Sequence, residues 1–116
     1  MSMLIRLFLA GVMLSTFPFS YANDCRKMPT QMEINICLKE QMINLDQKLA
    51  GILLALSSSP EYSEGKIKEH FQTLKSYRES FCEFSSERYQ GGTFRSASYG
   101  YCYIDMTELW IDQLSL

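Results

Sequence analysis

One histidine, His70, is all the imidazole in this chain of 116 residues, and no serine or cysteine nucleophile stands in a recognisable motif around it. Nucleophilic catalysis needs a base within hydrogen-bond reach of its nucleophile, so the usual triad arrangements have nothing to start from. Asp and Glu are scattered over helical faces instead of paired, the pattern of solvation and not of acid–base work. No glycine-rich phosphate loop follows a strand pattern, and Gly91-Gly92 reads as a turn between helices. A close C-x-x-C pair is also missing, and His70 is far from every cysteine, which leaves the competing zinc reading without ligand spacing. The 11 Lys and Arg do not cluster, and 13 Asp and Glu outweigh them, so the cationic surface that neutralises phosphates is lacking. These absences predict a protein that is not an enzyme, carries no cofactor or metal, and does not bind nucleic acid.

Long hydrophobic runs are lacking too. Met1 to Ile5 with Arg6 form a short n-region, and the apolar stretch Leu7 to Phe17 falls short of the ~20 residues a membrane span requires. Ser20-Tyr21-Ala22 then fits the small-x-small pattern before a cleavage site. Residues 1–22 are therefore expected to be a secretory signal cut after Ala22, an N-terminal membrane anchor being the competing reading. Cys25 follows Ala-Asn-Asp and not a lipobox, which argues against lipid anchoring. What remains is one domain, residues 23–116, expected in the periplasm or secreted and without a membrane span. Losing Arg6 takes the formal charge from −2 to −3. That mild acidity is compatible with a basic protein partner and equally ordinary for a soluble domain.

What the chain does have is one long helical period. Leu38, Met42, Leu45, Leu49, Ile52 and Leu56 recur at alternating steps of four and three, which keeps them on one face of a helix over Thr30 to Leu56. Thr30 and Glu33 have the spacing of a capping box at its start. A helix of about seven turns with a single apolar stripe needs partners to bury it. Pro29 discourages helix in the arm upstream, and Ser57-Ser58-Ser59-Pro60 ends the first helix in a short turn that implies an antiparallel neighbour. A second helix is expected from about Glu61 to Glu87, with Phe71, Leu74, Phe81 and Phe84 packing on the leucine stripe. Gly91-Gly92 breaks it, and Thr93 can cap a third. Along that third segment Ala97, Tyr101, Ile104 and Ile111 form one stripe, and Cys102, Met106, Leu109 and Trp110 another. Gly100 allows a break, and Thr107 a restart.

All four cysteines, Cys25, Cys37, Cys82 and Cys102, follow the expected cleavage site, which in a short exported chain predicts two disulfides. Three pairings are open. The fold class is accordingly all-α, a small antiparallel bundle of about three helices stapled by two disulfides. Tyr89, Phe94, Tyr99, Tyr101, Tyr103 and Trp110 concentrate in the last third, a composition shared by core edges and by protein-binding patches.

In this order the residues resemble the LprI-like lysozyme-inhibitor family. Cys25 followed by Glu33-Ile34-Asn35-Ile36-Cys37 is similar to its E-x-N-x-C block, and Asp46 with Leu49 to its D-x-x-L-N. Tyr77-Arg78-Glu79-Ser80-Phe81-Cys82 resembles the aromatic-R-D-x-x-C block, Gly91-Gly92-Thr93 the G-G-S turn, and Cys102, Thr107 and Leu114 the closing C, T and L. Ala50, Leu53, Leu74 and Trp110 depart from the family's usual Asn, Tyr, Trp and Arg. The resemblance implies a disulfide-stapled helical bundle with Cys25 joined to Cys37 and Cys82 to Cys102. It also implies an exported protein that blocks lysozyme or another peptidoglycan hydrolase; a structural, accessory or immunity-type envelope protein is the alternative. Arg78 is expected to pair with Asp46 across two helices in a structural role. Tyr89, Gly91, Gly92, Phe94 and Tyr99, around the turn, are the candidate partner-binding residues.

Overall fold

A computed structural model describes residues 21–115. Most of the expected signal segment, residues 1–20, lies outside the described residues. Four α-helices follow in order: α1 Tyr21–Arg26, α2 Gln31–Ser57, α3 Glu64–Ser86 and α4 Arg95–Leu114, with a 3-10 turn at Glu87–Tyr89 after α3. The all-helical, twice-stapled class expected from the sequence is observed.

Half of the capping box expected at the start of helix α2 is formed. Thr30 is extended and its hydroxyl accepts the Glu33 backbone N–H at 3.2 Å, which satisfies one of the donors left free by the first turn. At the other end the Ser57 and Ser58 hydroxyls donate to the carbonyls of Leu54 and Ala55, taking over acceptors the helix can no longer serve. Leu38, Leu45 and Leu49 are buried from its stripe, and Met42 and Ile52 pack against them.

The partner of that stripe is α4, and not the second helix as expected. Helix α4 buries Ala97, Gly100, Ile104, Thr107 and Ile111, again at steps of three and four. It runs through Gly100 without a break, because that glycine lies directly against α2: a Cβ there would meet the Leu38 Cβ at 3.2 Å. Thr107 does not restart a helix; its hydroxyl donates to the Tyr103 carbonyl one turn back. The helix opens after Phe94, with no side-chain bond from its cap, so Thr93 is not the cap residue.

Helix α3 starts after Ser63, whose hydroxyl accepts from Lys66 N–H, and lies antiparallel on α4. It meets α2 at few points. Its buried line is Arg78, Cys82 and Ser86, each one turn beyond the last, continued upstream by the half-buried Leu74 and Phe71. Phe81 and Phe84 instead point outward, 43 % and 70 % exposed. The Cys82–Cys102 disulfide fixes this roll, since a helix that turns Cys82 onto α4 turns residues 81 and 84 away from it.

The arm before Pro29 also differs from expectation, for it forms α1. Proline restricts only its immediate predecessor, leaving Tyr21–Arg26 free to coil. Asp24 in the first turn and Arg26 in the last suit the helix dipole, and Cys25 is fully buried in the core and bonded to Cys37.

Candidate functional site

Arg78 is the most demanding of the described residues, an arginine only 2 % exposed. A buried cation must find a partner and hydrogen bonds, or it costs several kcal/mol. Its Nη1 donates to Asp46 Oδ1 on α2 at 2.9 Å and to the Thr107 hydroxyl on α4 at 2.8 Å. The group lies 3.7 Å from the centre of the Tyr103 ring and 5.3 Å from that of Trp110, both faces that attract cations. Tyr103 completes the circuit by donating its hydroxyl to Asp46 Oδ2. Burial, and then that bond, push the Tyr103 phenol far above its ordinary pKa, so it remains a donor. One arginine thus joins α2, α3 and α4. Sequence reasoning paired Arg78 with Asp46 but missed Thr107 and Tyr103, although their spacing of four residues on one helix was the available signal.

The diglycine turn is the second feature. Gly91 has φ +80°, which favours glycine, and Gly92 N–H bonds the Tyr89 carbonyl at 2.9 Å. Residues 90–96 form an unbroken exposed run. Tyr89 meets the Phe94 ring edge to face at 4.9 Å, and Phe94 leads on to Tyr101, whose ring is capped by Arg26. Tyr99, grouped with these by sequence, faces elsewhere: its ring neighbour is Tyr103, and its phenol is raised by burial and by Glu79 and Glu83 on α3. The structure therefore brings Tyr89, Gly91, Gly92 and Phe94 together and sets Tyr99 apart.

Tyr99 belongs to a third feature. Because α3 and α2 both lean on α4 while barely touching each other, a cleft of about 540 Å³ opens between them. Leu38, Met42 and Gly100 give it an apolar floor; Asn35, Lys39, Glu83, Arg95 and Tyr99 supply polar groups. A shallower hollow beside it shares Asn35 and Lys39 and adds Met32, Ile36 and Thr93. Nothing in the periodicity announced this cleft, which is a product of how three helices splay. Among the described residues no three His, Cys, Asp or Glu gather as metal ligands, and no helix is long and apolar enough to cross a membrane.

A small helical scaffold, clamped by two disulfides and one buried arginine, is the class these observations define. The chain belongs to the family described as lysozyme inhibitor LprI, whose model matches residues 22–114. That family's description is of an inhibitor. No curated protein and no solved structure shows a significant match.

Proposed function

We propose that this domain is exported, folds in an oxidising envelope compartment, and binds lysozyme or a related cell-wall hydrolase so as to block it. The family match over residues 22–114 carries the reading. Two disulfides within a chain this short support the compartment, since such bonds persist outside the cytoplasm. In this reading residues 1–22 are removed on export, and the recovered protein has the mass of a chain beginning at Asn23.

The inhibitory surface is assigned to the turn carrying Tyr89, Gly91, Gly92 and Phe94, with Tyr99 at the neighbouring cleft. Their support is mechanical. The turn stands between two helices that a disulfide joins, and an exposed segment held this way loses little freedom when a partner seats on it. Turnover of peptidoglycan by c-type lysozyme and by a panel of bacterial lytic enzymes, with and without excess protein, is the test. Slowing of at least one enzyme is expected, and Tyr89→Ala or Phe94→Ala should weaken it by more than about 1 kcal/mol. If no enzyme is slowed, the inhibitor reading fails.

A further inference from the structure

We propose that the cleft between α2 and α3 is a binding site for a small zwitterionic glycopeptide, of the kind released when peptidoglycan is cut. The cleft's volume, about 540 Å³, lies within the ~300–1,000 Å³ typical of compact ligands. Its charges are mixed in a definite way. Lys39 on α2 and Arg95 at the start of α4 can receive carboxylates, and Glu83 on α3 can receive an ammonium. Asn35 offers an amide with both donor and acceptor capacity. Tyr99 adds a ring for a sugar face and a phenol that burial and the nearby Glu79 and Glu83 keep protonated.

The adjoining hollow extends the match. Met32 and Ile36 are both more than half exposed there, and Asn35 and Lys39 line both spaces. A sugar-bearing peptide with carboxylates, an ammonium and short alkyl side chains along its length meets a complementary group on each of these surfaces. A zwitterion can pair with both signs of charge at once, which a neutral sugar cannot, and a long acidic segment would meet Glu83. The choice of a cell-wall fragment rests on the envelope reading above, but the binding itself is measured without any hydrolase, so the two readings fail separately.

The test is a titration of the purified, disulfide-intact protein, labelled with ¹⁵N, with a disaccharide-tetrapeptide that retains its free carboxylates and ammonium. Two comparison probes are the same fragment with its carboxylates amidated and an uncharged chitooligosaccharide. Saturable shifts are expected at Asn35, Lys39, Arg95 and Tyr99 with the first probe alone. Lys39→Ala and Arg95→Ala, both at exposed positions that leave the core intact, should each weaken binding by about tenfold. Absence of shifts up to about 1 mM ligand overturns the proposal. So do equal binding of the uncharged sugar and wild-type affinity in both variants.

Discussion

Helix α4 is packed on two sides in two different ways. Against α2 it presents Ala97, Gly100, Ile104 and Ile111, and the seam closes by close apolar approach, with Gly100 set on Leu38. Against α3 it presents Cys102, Tyr103 and Thr107, and the seam is held by one covalent bond and one buried arginine. The first seam gains from area removed from water and tolerates small shifts. The second gains from specific partners and tolerates none, because a cation left alone costs far more than its pairing yields. A helix as poor in buried aliphatics as α3 is retained by chemistry and not by grease.

The comparison breaks most sharply at the apolar seam. Leu49 is fully buried, and Leu49→Ala should cost about 2–5 kcal/mol, the usual range for a core leucine with its cavity. Chemical denaturation should show a fall in midpoint at unchanged slope. A loss under about 1 kcal/mol would mean that the seam repacks freely and is not the main source of stability.

Next comes the covalent link. Joining residues 20 apart removes about 3 kcal/mol of chain entropy from the unfolded state, so Cys82→Ser with Cys102→Ser should lower stability by about that much. The sharper readout is regional: amide exchange should rise along α3 while α2 and α4 stay protected. Uniform loss of protection would show that α3 is part of one cooperative unit, and the contrast between seams would collapse.

The arginine is third. Its cation is buried, but the Asp46 side chain is 35 % exposed, so solvent screens part of the attraction. Asp46→Asn is expected to cost about 2 kcal/mol, below the ~3–5 kcal/mol of a fully shielded pair. In a double-mutant cycle with Arg78→Gln the two losses should fall short of additive by about 1 kcal/mol or more. Strict additivity is the outcome that removes Asp46 from the account.

These two seams were unequally legible in the sequence. The α2 stripe could be read because its apolar residues obey one period over six positions, and the cap at Thr30 because the motif is local. Pairing of the cysteines came only with the family resemblance, since four residues allow three solutions. The roll of α3 was misread: Tyr77, Phe81 and Phe84 share a helical period, and their bulk outweighed the quieter line of Arg78, Cys82 and Ser86 that is buried. Hydrophobic pattern cannot show that a disulfide and a guanidinium will decide which side turns inward. The cleft was illegible for another reason. Its residues come from three helices, and only the splay of α2 from α3 brings them to one place.

The smallest expected effect concerns a third edge of α4, where Asp105, Glu108 and Asp112 follow one another at helical spacing. Burial raises the Glu108 pKa above its ordinary value, Asp105 and Asp112 raise it further, and Lys48 on α2 offsets part of this. Asp105 is raised as well, by burial, against the pull of Arg26. A carboxyl whose folded pKa is raised binds its proton more tightly in the folded state, so its ionisation opposes folding. This contribution to stability is complete below the unfolded pKa and is lost as pH rises through the folded one. Acidification from neutrality through the range just above the ordinary carboxylate values should therefore favour the wild-type fold relative to Glu108→Gln, which has no such proton to bind. Because Asp105 is exposed and Glu108 only half-buried, solvent screening should keep the difference under about 1 kcal/mol. Parallel denaturation of the two proteins across this range checks the sign: their stability gap should narrow as pH falls, with the variant the more stable at pH 7. A constant gap would show that Glu108 titrates as it does in the unfolded chain, and a gap that widens on acidification that Lys48 holds its ionised form; either result removes the raised carboxyl from the account.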